Sequence, residues 1–173
     1  MGLLVPYDGS ALSKAALIRA EQFDAILDEG VTALTVIPES NRQYARDRGW
    51  IGPDETYTRA AVVANLERSV SAISPNAVFE FVTVGRSAPY GTIANRIRRY
   101  ARDADVSILF LGSENAGRMV GSLSVGSAVA SGGGYDTMIV SQPVPSKIEA
   151  LEEAFPSEGI LRSETESGAK LSR

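Results

Sequence analysis

Short apolar segments of strand length alternate with longer segments of helical periodicity from residue 2 to residue 140. This alternation is typical of βαβ units, in which parallel strands are joined by crossover helices. With right-handed crossovers, the pattern predicts one doubly wound, five-stranded parallel sheet of order 3-2-1-4-5, with helices on both faces. The predicted strands are residues 2–7, 31–37, 77–84, 106–111 and 136–141.

Four helices are expected between these strands, the last of them a short one that begins at Gly126 and Ser127 and ends near Ser131. The first begins near Leu12, after Ser10 as its N-cap. The second follows a polar stretch at residues 41–54 and ends at Pro75 and Asn76, and the third has Pro89 near its first turn. The residues expected to face inward from the second and third helices are Val63, Leu66, Val70, Ile73, Ile93, Ile97, Tyr100, Ala101 and Ala104.

The composition excludes several kinds of chemistry. The 173 residues include no cysteine and no histidine, so disulfides, thiolate metal sites and the usual general base are excluded. The net charge of -4 argues against sequence-independent binding of nucleic acid. No segment approaches the length of a membrane-spanning helix. We therefore expect a cytoplasmic protein with no nucleic-acid or membrane partner.

The chain length fits one globular domain, which we place at residues 1–143. From residue 144 to residue 173 the composition is richer in Pro, Ser, Glu and Gly. We expect a polar C-terminal tail there, with a short helix at residues 146–154 and mostly disordered chain from residue 156 onward.

Two features allow more than one interpretation. The connection at residues 41–54 is longer than most in compact α/β domains and contains Trp50, which could belong to a lid or could fold back over an edge of the core. The third helix carries Arg96, Arg98, Arg99 and Arg102. A solvated helix face is the interpretation we favour for these arginines, over an anion or partner site.

Two polar turns follow strands that the predicted order makes neighbours. The first strand runs into Asp8, and the fourth runs into Gly112 and a glycine-containing segment that reaches Gly126 and Ser127. Strands 1 and 4 meet where the strand order reverses, which is where open α/β sheets bind ligands. Backbone N–H groups at the start of a helix can hold an anion, and a carboxylate can accept hydrogen bonds from sugar hydroxyls. Together the turns favour a nucleotide, although each turn alone could serve only turn geometry.

Several segments resemble the universal stress protein family, and the resemblance spans residues 1–143. The segments that carry it are Val5-Pro6-Tyr7-Asp8-Gly9-Ser10, Ser13-Lys14-Ala15-Ala16-Leu17, Leu34-Thr35-Val36-Ile37, Ala104-Asp105-Val106, Leu111-Gly112-Ser113, Gly126-Ser127-Ala128-Val129 and Met138-Ile139-Val140.

This resemblance implies a Rossmann-like domain, a homodimer formed through the last strand and, in one branch of the family, ATP held by a Gly-x2-Gly-x9-Gly-Ser/Thr loop. In that branch, the residue at the position of Asp8 holds the ribose or metal region, and the residue at the position of Val36 contacts adenine. The cofactor-binding residues that we carry over are Tyr7, Asp8, Val36, Gly112, Asn115, Gly117, Gly126 and Ser127, with Mg²⁺ held at Asp8 through the bound nucleotide.

The loop departs from the family pattern at two points. Asn115 stands where the second glycine is expected, and Gly126 comes one residue late. Gly117 could replace the missing glycine, with eight residues instead of nine before Gly126. Asparagine tolerates left-handed backbone better than most residues, so Asn115 could also serve.

Three functions are compatible with these observations. The first is an ATP-binding regulatory homodimer that acts on an unknown protein partner and is at most a weak ATPase, because only Asp8 is placed to activate water. The second is a nucleotide-free dimeric stress protein that acts through protein partners. The third is an adenylating or phosphoryl-transfer enzyme, which we rank last because a first-strand pyrophosphate loop is missing.

Overall fold

A computed structural model describes residues 1–113 and 134–143 of the chain. Five parallel strands form one sheet in the order β3-β2-β1-β4-β5, which confirms the predicted doubly wound topology. Each strand end lies within about one residue of its predicted position, the margin to which such boundaries are ordinarily defined. The strands are β1 (Gly2–Pro6), β2 (Val31–Pro38), β3 (Val78–Val84), β4 (Val106–Gly112) and β5 (Asp136–Val140).

The helices of the described residues include one that the sequence analysis missed. The polar stretch at residues 41–54 contains the short helix α2, which is capped by Asn41, whose side chain accepts a hydrogen bond from the backbone N–H of Tyr44. Ser10 is the N-cap of the first helix, as predicted. The helices are α1 (Ala11–Leu27), α2 (Arg42–Asp47), α3 (Arg59–Ile73) and α4 (Tyr90–Asp103).

Helices α1 and α3 cover one face of the sheet. Side chains at alternate positions of β1 and β2 point to this face, because successive residues of a strand point to opposite sides. They pack against an inward stripe of small and aliphatic residues from the two helices. The buried helical residues of this core are Ala15, Ala16, Leu17, Ala20, Val62, Leu66 and Val70.

Helix α4 covers the opposite face with Ala94, Ile97 and Ala101, which are buried. The inclusion of Ala104 in this stripe was wrong, because α4 ends at Asp103 and Ala104 is exposed. Of the arginines on this helix, Arg98 is half-buried and the other three are exposed.

The described residues contain no helix that combines the length and the hydropathy needed to cross a bilayer. The predicted tail at residues 144–173 lies outside the described residues, and so does the segment between residues 113 and 134.

Candidate functional site

A tight turn at the carboxyl end of β1 fixes the position of Asp8. The backbone N–H of Ser10 donates a hydrogen bond of 3.0 Å to Oδ1 of Asp8. Ser10 in turn accepts a bond of 3.2 Å from the N–H of Ser13 and so caps α1. Gly9 has a φ of +78°, a left-handed conformation that L side chains rarely adopt. The turn therefore requires glycine at this position and holds the carboxylate at the edge where β1 meets β4.

Arg48, at the C-cap of α2, pairs with the Asp8 carboxylate. Its Nη1 donates to Oδ2 of Asp8, and the side chains of Arg48 and Asp8 are only 20% and 14% exposed. Sequence reasoning missed this partner because it treated the 41–54 stretch as an irregular connection. The signal that could have revealed it is a short helix framed by Asn41 as N-cap and by Gly49, which has a φ of +68°.

A contact network formed by Asp8, Arg48, Tyr44 and Trp50 joins the Asp8 turn to the connection between β2 and α3. The Arg48 guanidinium lies 5.0 Å from the ring centroid of Tyr44, and the Tyr44 ring packs edge-on against Trp50 at 5.4 Å. The indole Nε1–H of Trp50 donates a hydrogen bond of 2.8 Å to the carbonyl oxygen of Asp8. Trp50 is 4% exposed and packs in the core under α1 and α3. Of the two interpretations given above, the structure therefore supports the one in which Trp50 folds back onto the core.

The environment of Asp8 lowers the pKa of its carboxyl group. Burial acts in the opposite direction and raises the pKa. Hydrogen bonds from Ser10 and the nearby Arg48 guanidinium outweigh it, so the net pKa lies below the ordinary value of 3.8. The carboxylate is therefore ionised at neutral pH and can act only as an acceptor.

Gly112, at the end of β4, packs directly against the first turn of α1. A Cβ added to Gly112 would lie 3.0 Å from the Cβ of Leu12 and 3.1 Å from its carbonyl carbon. The contact brings the start of the predicted phosphate loop beside the N-terminus of α1 and the Asp8 turn. Two of the residues chosen from sequence, Asp8 and Gly112, therefore lie at the same edge of the sheet.

Tyr7 and Val36, unlike Asp8 and Gly112, belong to the buried core of the domain. The Tyr7 side chain is 2% exposed, and its hydroxyl is 2.6 Å from Oγ of Ser69. Its burial raises the pKa of the phenol. Val36 is 6% exposed and packs in the core beneath α4. Nucleotide contacts by Tyr7 and Val36 stay predictions, and the other predicted loop residues, Asn115, Gly117, Gly126 and Ser127, lie outside the described residues.

The residues around Asp8 do not fit a divalent cation. Both carboxylate oxygens have protein donors, from the Ser10 N–H and from Arg48. Magnesium requires near-octahedral oxygen coordination, commonly from one or two carboxylates together with substrate phosphates and waters, so a cation at Asp8 would have to compete with these two donors for the carboxylate oxygens. Residues 1–113 and 134–143 contain no cluster of three acidic side chains that could hold a metal.

A separate open cleft lies at the carboxyl end of β2. Its volume is about 450 Å³, and an exposed ion pair of 3.8 Å between Arg59 and Glu39 crosses its rim. The sequence analysis selected none of its lining residues, which are Glu39, Ser40, Tyr57, Thr58 and Arg59.

The parallel sheet of order 3-2-1-4-5, with an ionised carboxylate where the strand order reverses, defines a doubly wound α/β protein with its candidate site at the switch point. The chain belongs to the universal stress protein family, whose sequence profile matches residues 2–141. No protein of curated function matches the chain in a sequence comparison.

Solved universal stress proteins are similar to the chain at low identity. One in complex with cAMP has a TM-score of 0.49 and 24% identity, covering 82% of this chain and 97% of that one. The protein from Archaeoglobus fulgidus has a TM-score of 0.45 and 15% identity, with coverages of 82% and 93%. UspA from Lactobacillus plantarum has a TM-score of 0.43 and 18% identity, with coverages of 82% and 97%.

Proposed function

We propose that this chain is a cytoplasmic regulatory homodimer that binds an adenine nucleotide, ATP, between the Asp8 turn and the segment that follows Gly112. The observation that carries the proposal is the ionised Asp8 carboxylate beside the junction of Gly112 with α1. Membership of the universal stress protein family supports the same site, because the family resemblance implies ATP binding in one branch.

The chemistry of this edge suits a nucleotide. An ionised carboxylate accepts hydrogen bonds from ribose hydroxyls without needing a metal. Helix α1 begins at Ala11 and directs the positive end of its dipole to the same edge, where it favours anions such as phosphates. The glycine segment from Gly112 to Ser127 would supply backbone N–H groups for those phosphates.

The contact network formed by Asp8, Arg48, Tyr44 and Trp50 supports a regulatory role. A ligand that touches Asp8 also acts on Arg48, on the Tyr44 ring and on the connection between β2 and α3, because these groups are in direct contact. Occupancy of the site could thereby change a surface that a partner protein recognises, with no chemical step. Hydrolysis would at most be slow, since the chain has no histidine to act as a base.

The variants Asp8→Ala and Gly126→Val test the site. Each should weaken ATP binding by at least about tenfold, because the first removes the ribose acceptor and the second places a branched side chain where the loop backbone must approach phosphate. Asp54→Ala is the matched control, because Asp54 is an exposed acid in the same connection as Arg48. Equilibrium dialysis of the folded variants with ATP measures the effect. Unchanged ATP affinity in both folded site variants would contradict the assignment.

A second candidate function is the nucleotide-free dimer that acts through protein partners. The observation that favours it is the pairing of both Asp8 oxygens with groups of the protein itself. The two candidates differ in one outcome: the nucleotide-free dimer predicts that the unmodified protein binds no adenine nucleotide at all.

A further inference from the structure

Arg48 is a fixed positive charge at the proposed nucleotide site. It is held from two directions, by its bond to the Asp8 carboxylate and by its stacking over the Tyr44 ring at 5.0 Å. Both partners of the ion pair are largely excluded from water, with side-chain exposures of 20% and 14%. Salt therefore screens this pair much less than a surface pair. The folded structure around the Asp8 turn therefore fixes the position of the Arg48 charge.

The same arrangement leaves little room for a metal at Asp8. Oδ1 accepts a hydrogen bond from the Ser10 N–H at 3.0 Å, and Oδ2 faces Arg48. A divalent cation that approached this carboxylate would have to displace the guanidinium and would be repelled by its charge.

We propose that Arg48 is the resident cation of this nucleotide site and that the chain therefore binds ATP without a divalent metal at Asp8. The inference rests on the proposed nucleotide binding and adds a residue that sets its metal requirement. A guanidinium has five N–H donors in a planar fork that matches phosphate geometry. Arg48 directs one of these donors to Asp8 and so lies beside the carboxylate where the strand order reverses.

The test is calorimetric titration with ATP in two buffers, one with excess Mg²⁺ and one with EDTA. The unmodified protein should show affinities that agree within about threefold. Arg48→Gln should bind ATP about tenfold more weakly in EDTA and should recover most of that loss in Mg²⁺, because removal of the guanidinium opens Asp8 to the cation. Arg46→Gln is the matched control, since Arg46 lies in the last turn of α2, two residues before Arg48, and donates to the Pro53 carbonyl instead. It should behave like the unmodified protein in both buffers.

The outcomes of these titrations distinguish the role of Arg48 from the proposed nucleotide binding. Equal loss of affinity by folded Arg48→Gln in both buffers would give Arg48 a merely structural role and overturn the inference. ATP binding by the unmodified protein only in Mg²⁺ would also overturn it, while leaving the proposed function intact. Absence of ATP binding in both buffers would overturn the proposed function and the role of Arg48 with it. The comparison of buffers on the unmodified protein needs no variant, so it decides even if Arg48→Gln fails to fold.

Discussion

At the residue scale, Asp8 combines two tasks in one carboxylate. Its Oδ1 closes the turn before α1 by accepting the Ser10 N–H, and its Oδ2 anchors Arg48 from a different part of the chain. The sequence pattern Asp-Gly-Ser after a strand predicts the first task, because Asp and Gly have strong local turn preferences. It contains nothing about the second, because Arg48 lies forty residues away. Long-range side-chain pairing depends on the fold and on the exact length of the connection.

The lowered pKa of Asp8 predicts how stability depends on pH. Because the folded-state pKa lies below the ordinary value of 3.8, ionised Asp8 stabilises the fold above that value, and this contribution is lost as the pH falls through the folded-state pKa. Asp8→Asn should therefore be less stable at neutral pH by about 1.5 to 3 kcal/mol, the range for hydrogen bonds to charged groups. The difference should shrink as the pH falls below 3.8.

Urea unfolding of the two proteins over a pH series measures this difference, with Asp54→Asn as the exposed control. A destabilisation by Asp8→Asn that is equal at neutral and acidic pH would show that ionisation of Asp8 contributes nothing to folding.

At the scale of elements, the strands and the long helices could be predicted and the short helix could not. Continuous apolar runs mark β1, β2 and β4, and apolar residues that recur at spacings of three and four mark α1, α3 and α4. Helix α2 has only six residues, too few to show a period, and only its caps mark it. The pairing of β1 with β4 also shifts register at its start, where Gly2 pairs with Val106 and Leu3 pairs with Ile108. Such a shift leaves the apolar character of the strand unchanged, so the sequence pattern does not reveal it.

Two glycines, Gly112 at the β4–α1 contact and Gly91 in α4, should respond in opposite ways to an added methyl group. Gly112→Ala should destabilise the protein by about 1 to 3 kcal/mol, because the new methyl group would meet the Cβ and carbonyl carbon of Leu12 at contact distances too short to keep. Gly91→Ala should stabilise it by about 0.5 to 1 kcal/mol, because Gly91 lies in α4 with nothing near its Cβ position. Thermal and urea unfolding measure both changes. A neutral Gly112→Ala would show that β4 does not approach α1 this closely.

At the scale of the whole molecule, β5 is an edge strand of the sheet formed by residues 1–113 and 134–143, and this supports the proposed homodimer, the alternative being that the C-terminal segment covers the edge. An unpaired edge offers backbone hydrogen-bonding groups to a second chain. Ile139 on this strand is 39% exposed, which adds an apolar side chain to the edge. The order of the strands and the place of β5 at the edge could be predicted from the alternation of elements and the right-handed crossover rule. Assembly depends on the match between two surfaces, which one sequence does not reveal.

Ile139→Lys should shift the protein from dimer to monomer, because a charged side chain at an edge strand opposes pairing with another strand. Ile26→Lys is the control, since Ile26 is an apolar residue that is 83% exposed on helix α1 and not on the edge strand. Light scattering coupled to size-exclusion chromatography gives the mass of each protein. A monomeric unmodified protein, or a dimer unaffected by Ile139→Lys, would contradict pairing through β5.

The edge formed by Asp8 and Gly112 is proposed to belong to an adenine-nucleotide site. Calorimetric titration of the purified, nucleotide-stripped protein with ATP, with AMP as the comparison ligand, tests this site directly. We expect saturable binding that is stronger for ATP than for AMP, because the additional phosphates would meet the glycine segment and the N-terminus of α1. Absence of binding for both nucleotides would contradict the claim and favour the nucleotide-free dimer.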